Sequence, residues 1–272
     1  MQIQNTDLAF AGSIPELYDR YMVPLIFEPY ATDLAKRVAS LDPSRVLEVA
    51  AGTGVVTRHL AALLPASTSI IATDLNQPML DHAAARGTVR HVEWRQADAM
   101  KLPFADGEFD VVVCQFGVMF FPDKAAAYRE ARRVLAPGGT FVFNVWDAIE
   151  ANELADVVTK ALALEFPDDP PRFMDRVPHG YHARAAIAQD LLQGGFDRAP
   201  AFDTVAARSR ADSSHGAAIA YCQGTPLRAE IEARDASRMA EVTERAAEAI
   251  ASRFGKGRVD AGIQAHVVSV LR

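Results

Sequence analysis

RVLEVAAGTG, residues 45–54, decides how this chain folds. Its first half is short, apolar and rich in valine, as a strand buried on both faces of a sheet would be. Its second half consists of small residues, and Gly52 and Gly54 permit a tight turn that a ligand can approach with no Cβ in the way. A helix-compatible run then extends to residue 64, where Pro65 ends it, so the segment reads strand, turn, helix. SIIAT (69–73) makes the next strand, and the acidic residue at its end is Asp74, 20 positions beyond Gly54. In a doubly wound sheet ligands bind at the carboxyl ends of the strands, and a carboxylate at that interval accepts both hydroxyl protons of a ribose.

Working outward, strand-like and helix-like stretches alternate from about residue 30 to residue 146, which predicts a parallel sheet with helices on both faces. Helices are expected over 33–41, 77–86 and 124–135, and further strands over 89–95, 110–116 and 140–146. Pro137, Gly138 and Gly139 read as a helix stop and turn. Beyond residue 149 the apolar period becomes helical, with Leu154, Val157, Val158, Ala161 and Leu162 on one face. Four prolines make 166–178 a loop. A helix over 183–192 and a strand over 202–208 follow, then a helical insert over about 213–254 with Met239, Val242, Ala246 and Ile250 aligned, and a closing strand over 263–271.

Composition excludes several function classes. The formal net charge is −7 and no basic run is present, which argues against a nucleic-acid partner. The longest apolar stretch, 111–121, is interrupted by Gln115 and falls short of the roughly 20 residues a membrane helix needs, so no membrane span is expected. Residues 1–10 lack the pattern of a secretory leader, and the two cysteines, Cys114 and Cys222, are far apart, which fits a reducing cytoplasm. Neither belongs to a cluster with metal-ligand spacing, so no metal is expected.

Four ordered segments carry a resemblance: VLEVAAGTG (46–54), ATDLNQPML (72–80), QADAMKLPFADGEFDVVVCQFGVMFFPD (96–123) and RVLAPGGTFVFNVW (133–146). Over roughly residues 40–150 the chain resembles the class I S-adenosylmethionine-dependent methyltransferases, in particular the branch of the ubiquinone and menaquinone biosynthesis methyltransferases. The resemblance implies a Rossmann-like α/β fold, doubly wound and mostly parallel with seven strands, and helical inserts forming a lid. It implies S-adenosylmethionine as cofactor, S-adenosylhomocysteine as product, and in-line methyl transfer to a small-molecule acceptor. Glu48 would orient the glycine loop and the methionine end, Gly52 and Gly54 would flank the cofactor, and Asp74 would take the ribose. Leu75 and Met79 would pack by the adenine, Asp98 with the Ala99 backbone would accept from its amino group, and Gln115 and Phe116 would border the methionine part. Tyr18 and Tyr21, in LYDRY, resemble the N-terminal lid of this branch. The family's first glycine is Ala50 here, so the loop must accommodate a methyl group.

These readings divide the chain into an N-terminal helical lid segment (1–40), a cofactor-binding α/β core (41–148), helical inserts capping the substrate (149–180 and 212–257), and the final helix and strands of the core (181–211 and 258–272). Asp74 and Asp98 could instead cap a helix and a turn. Tyr18 and Tyr21 could be ordinary packing residues. His179, Tyr181 and His182 are the candidates for removing a proton from an acceptor, against a simpler role in a turn around Gly180. Two other functions compete. A nicotinamide-dependent dehydrogenase would need glycine at position 57, where Thr57 stands, and a non-catalytic cofactor-binding module would keep the pocket without turnover. A homodimer is compatible with the chain.

Overall fold

The computed structural model describes Ile3, residues 5–8 and residues 14–272. Half of the stretch 1–10 judged for a leader lies outside the described residues. In chain order the helices and strands are α1 (Ile14–Leu17), a widened helical stretch (Tyr18–Phe27), α2 (Glu28–Ala39), β1 (Arg45–Val49), α3 (Val55–Leu63), β2 (Ser69–Asp74), α4 (Gln77–Arg86), β3 (Glu93–Gln96) and β4 (Phe109–Gln115). They continue with α5 (Lys124–Val134), β5 (Leu135–Trp146), α6 (Glu153–Glu165), α7 (Phe173–Arg176), α8 (Arg184–Gln193), β6 (Ala201–Ala211), α9 (Ser214–Gln223), α10 (Leu227–Asp235), α11 (Met239–Phe254) and β7 (Val259–Leu271).

The strands form one seven-stranded sheet in the order β3-β2-β1-β4-β5-β7-β6. The ladders β1–β2, β1–β4, β2–β3 and β4–β5 are all parallel, so the doubly wound α/β fold expected from the alternation is present. The order reverses between β1 and β4, and ligands bind at such a switch point. Leu47, Val112 and Val113 are fully buried, as expected of strands covered on both faces.

Several boundaries differ from the expectation: a short helix, α7, lies within the expected loop 166–178, the last two strands are longer than expected, and three further differences have a physical reason. The third strand is only Glu93–Gln96, because the Arg90 guanidinium is drawn aside to donate to Ala61 O (3.0 Å) and Thr68 O (2.6 Å), and Val89 is left exposed. Pro137-Gly138-Gly139 is not a turn before the strand but a bulge inside β5, since the ladder jumps from Phe109↔Leu135 to Val111↔Thr140. There Gly138 has φ +80°, and a Cβ on Gly139 would lie 2.9 Å from Asp110 O. Finally, helical structure starts well before residue 33. Pro24 lies inside the Tyr18–Phe27 stretch, where the Glu28 N–H bonds to Val23 O, five residues back, widening the turn around a proline that lacks an N–H.

The chain divides into two compact units. One contains residues 30–145, 181–205 and 265–272, with most of the sheet. Its core includes an aromatic layer, with Tyr128 stacked at 5.6 Å on Phe143 and Phe141 4.8 Å from Phe143. The other contains residues 1–29, 146–180 and 206–264 and is mainly helical. Within it α11 packs on α6 and α9 through Val242, Ala246 and Ile250. The expected fourth member of that face, Met239, is only half-buried. The buried Asp7 carboxylate accepts two bonds from the Arg176 guanidinium (2.6 and 2.7 Å), which also donates to Glu230. Among the described residues no helix is long and apolar enough to cross a membrane.

Candidate functional site

At the carboxyl end of β1 the backbone turns through Ala50 (φ +55°), Gly52 (φ +56°) and Gly54 (φ +80°). A left-handed backbone costs an L-residue about 1–2 kcal/mol, so the glycines are placed where it is needed and Ala50 is held there under strain. A Cβ on Gly54 would come within 2.9 Å of Trp94 Cη2 and 3.1 Å of Ala83 Cβ, so this glycine lets α3 seat against β3 and α4. A Cβ on Gly52 would lie 3.7 Å from Met79 Cε.

Asp74, at the end of β2, joins the two halves of this turn. Its Oδ2 accepts the Gly52 N–H (2.8 Å) and its Oδ1 accepts the Asn76 N–H (2.8 Å). Asn76, not Asp74, precedes α4, and no side chain caps that helix. The capping alternative for Asp74 therefore does not describe its bonds. The Asn76 side chain and the Leu75 backbone N–H donate to the same carboxylate. Burial pushes the Asp74 carboxyl upward, opposed by the N–H bonds from Asn76 and Gly52.

Glu48 lies under the same turn, 2% exposed. Thr57 Oγ1 donates to its Oε2 at 2.6 Å, so the residue at the dehydrogenase fingerprint's third glycine position is a hydroxyl that holds a carboxyl. Burial pushes Glu48 up to about 8, against the lowering effect of Thr57 and the Arg58 charge. Asp98 follows β3 and is half-buried, and its Oδ1 accepts the Met100 N–H at 2.8 Å. It thus does shape a turn, as the simpler reading had it. Met79 is buried, Leu75 is exposed and Ala99 is half-buried.

At the end of β4, Gln115 is half-buried and Phe116 is buried with φ +50°. The Phe116 N–H is shared between Asn144 Oδ1 (2.9 Å) and Asn144 O (3.3 Å), and the Tyr30 ring meets the Phe116 ring edge-on at 5.3 Å. Gly117 comes next. A Cβ there would sit 2.5 Å from Ala50 Cβ and 2.7 Å from Cys114 Sγ. The methyl group of Ala50 therefore occupies room that a glycine at 117 leaves free, which is how the loop accommodates its departure from the family pattern. Gly117→Ala should destabilise the protein by about 1–3 kcal/mol through overpacking, and adding Ala50→Gly should recover part of the loss. Thermal melts of both variants check this; an unchanged melting temperature in the single variant would refute the packing argument.

Four residues of this region escaped sequence reasoning: Thr53, Thr57, Gly117 and Asn144. Gly117 had a legible signal, a glycine directly after a strand. Thr53 lies between the two loop glycines, 1% exposed, and its Oγ1 has no hydrogen-bond partner among the described residues. A left-handed glycine turn, a carboxylate bonded to it and a buried hydroxyl without a partner among the described residues together fit an adenosine-bearing group.

The remaining candidates are distributed over both units. Tyr181 belongs to the sheet unit: its hydroxyl donates to Asp190 Oδ2 (2.7 Å), lies 3.3 Å from Tyr128 OH, and its ring has Lys124 Nζ 4.7 Å from the centroid. Burial, then the neighbouring Tyr128, push its phenol upward. His182, half-buried, is in the same unit. His179 belongs to the helical unit, buried, with Nδ1 2.9 Å from Asp147 O. Tyr18 and Tyr21 lie in the helical unit too, where Tyr18 stacks on Phe27 at 5.0 Å and the Arg20 guanidinium lies 5.1 Å from the Tyr21 ring centroid.

Residues 47–143 match the family model described as a methyltransferase domain. Over 100 residues the chain is 41% identical to the ubiquinone/menaquinone biosynthesis C-methyltransferase of Ectopseudomonas mendocina, covering 35% of this chain and 39% of that protein. An uncharacterised protein of Mycobacterium tuberculosis is 36% identical over 156 residues, 56% of this chain and 53% of its own. The chain thus spans about half or less of the length of these relatives. Among solved structures, a phosphoethanolamine N-methyltransferase of Haemonchus contortus, in complex with phosphomonomethylethanolamine and S-adenosylhomocysteine, superposes with a TM-score of 0.58. The likeness covers 95% of this chain and 57% of that one at 13% identity, and it is a likeness of fold. The resemblance to the class I methyltransferases, and to the ubiquinone and menaquinone branch in particular, is borne out by the methyltransferase domain and these relatives.

Proposed function

We propose that this chain transfers the methyl group of S-adenosylmethionine to a small-molecule acceptor by in-line displacement, leaving S-adenosylhomocysteine. The observation that carries this reading is the bond from the Gly52 N–H to Asp74, which draws a glycine turn and a ribose-binding carboxylate together at the switch point of the sheet. The sulfonium donor is already activated, so the protein's task is positioning. In this reading Asp74 orients the ribose, Asp98 and the Ala99 backbone receive the adenine amino group, and Leu75 and Met79 pack beside the ring. Glu48, Gln115 and Phe116 line the methionine end along the same strand tips.

In this reading Tyr18, Tyr21 and the helical segments 149–180 and 212–257 serve as the lid that keeps water out. Where the acceptor is a phenol, enol or hydroxyl, His179, Tyr181 or His182 removes its proton. Cys114 and Cys222 are buried and form no disulfide, which is compatible with a reducing cytoplasm, and the mass of the protein in solution tests for a homodimer. Calorimetric titration with S-adenosylhomocysteine, followed by a screen of a metabolite extract with labelled donor, tests the reading. Binding and a labelled small-molecule product support it; no heat with either sulfur compound, together with tight binding of a nicotinamide dinucleotide, would overturn it.

A further inference from the structure

Asn144 interrupts an apolar run of β5, before Val145 and Trp146, and faces Gln115 across the parallel ladder to β4. Facing residues of a parallel pair project to the same side of a sheet. Glu48 pairs with Val113, two residues before Gln115, so Glu48, Gln115 and Asn144 share one sheet face at the strand tips. Asn144 is fully buried. Its Oδ1 accepts the Phe116 N–H at 2.9 Å, and because an N–H requires an oxygen there, the amide orientation follows from this bond. The NH2 group must then point away from Phe116, and Nδ2 has no hydrogen-bond partner among the described residues. An unpaired buried donor is costly, and a ligand that brings an acceptor to the strand tips offsets that cost.

The sheet order indicates which acceptor. Asp98 follows β3, Asp74 ends β2, the glycine turn follows β1, Gln115 ends β4 and Asn144 is near the end of β5, and these strands are neighbours in that order. Each step across the sheet advances about 5 Å. With the ribose at Asp74, a donor molecule extended along the strand tips passes β1 and β4 and brings its amino-acid end toward β5. A carboxylate can only accept hydrogen bonds, and the Asn144 NH2 can only donate.

We infer that Asn144 has two linked roles in this site: its oxygen holds the left-handed backbone of Phe116, and its NH2 group donates to the carboxylate at the methionine end of the donor. The inference rests on the proposed function. Two ligands separate the roles: S-adenosylhomocysteine, and methylthioadenosine, which has the same adenosine and thioether sulfur but no amino-acid carboxylate. Asn144→Asp keeps an oxygen for the Phe116 N–H and replaces the donor with an acceptor. Asn144→Leu removes both functions at similar size. Calorimetry should show S-adenosylhomocysteine affinity falling at least about tenfold in both variants, the loss of one charged hydrogen bond, while methylthioadenosine affinity changes less than about threefold. The ratio of the two affinities is insensitive to a reduced folded fraction, which lowers both alike. An unchanged ratio in both variants would overturn the assignment. Failure of the unaltered protein to bind S-adenosylhomocysteine would overturn the proposed function itself, and this assignment with it.

Discussion

Asp74→Ala is expected to lower S-adenosylhomocysteine affinity at least tenfold and up to several hundredfold, the largest binding effect of any single substitution in the site. Two costs combine. The carboxylate that would accept the ribose hydroxyls is lost, at about 1.5–3 kcal/mol for hydrogen bonds to a charged group. The Gly52 and Asn76 N–H groups, now bonded to Asp74 at 2.8 Å each, also lose their acceptor, which loosens the turn that receives the ligand. Asp74→Asn retains one oxygen and should show an intermediate loss. Calorimetry on the three proteins checks the order, and unchanged affinity in the alanine variant would remove Asp74 from the site.

Glu48→Gln should make the unliganded protein more stable, by an amount that grows with pH. Unfolded, Glu48 ionises near its ordinary value of 4.5; folded, burial above all raises it to about 8. Between these values folding takes up a proton, so stability falls as pH rises through the window, by about 1.4 kcal/mol per pH unit and at most about 5 kcal/mol in total. Below pH 4.5 the carboxyl is neutral in both states and contributes no such loss. A glutamine keeps an oxygen for the Thr57 hydroxyl and cannot ionise. Melting temperatures of the two proteins should therefore nearly coincide near pH 4.5 and diverge steadily toward pH 8. Parallel curves across that range would show that Glu48 ionises in the fold much as it does in water.

Much of the fold was legible because its signals are local. The glycine turn after a valine-rich strand, the helix opened by Pro78 and stopped at Gly87, and the three consecutive valines of β4 are each specified by nearby residues. The misses have a common cause in long-range contacts. Val89 to Val92 alternates weakly as a strand would, yet Arg90 is recruited to carbonyls 22 and 29 residues away. The Pro137-Gly138-Gly139 bulge depends on the register with β4. The burial of Tyr181 and its bond to Asp190 likewise arise only when α8 and α5 pack.

The order of elements, the glycines that permit the turn and the two carboxylates at Asp74 and Asp98 could be derived from the chain alone, because backbone freedom and strand propensity belong to individual residues and their immediate neighbours. Only the tertiary structure decided that Ala50 is tolerated because position 117 lacks a side chain, that Glu48 is pushed toward neutrality, and that Asn144 is fixed by Phe116, 28 residues away. Each of these depends on which atoms meet when distant strands align, and on how completely that alignment excludes water.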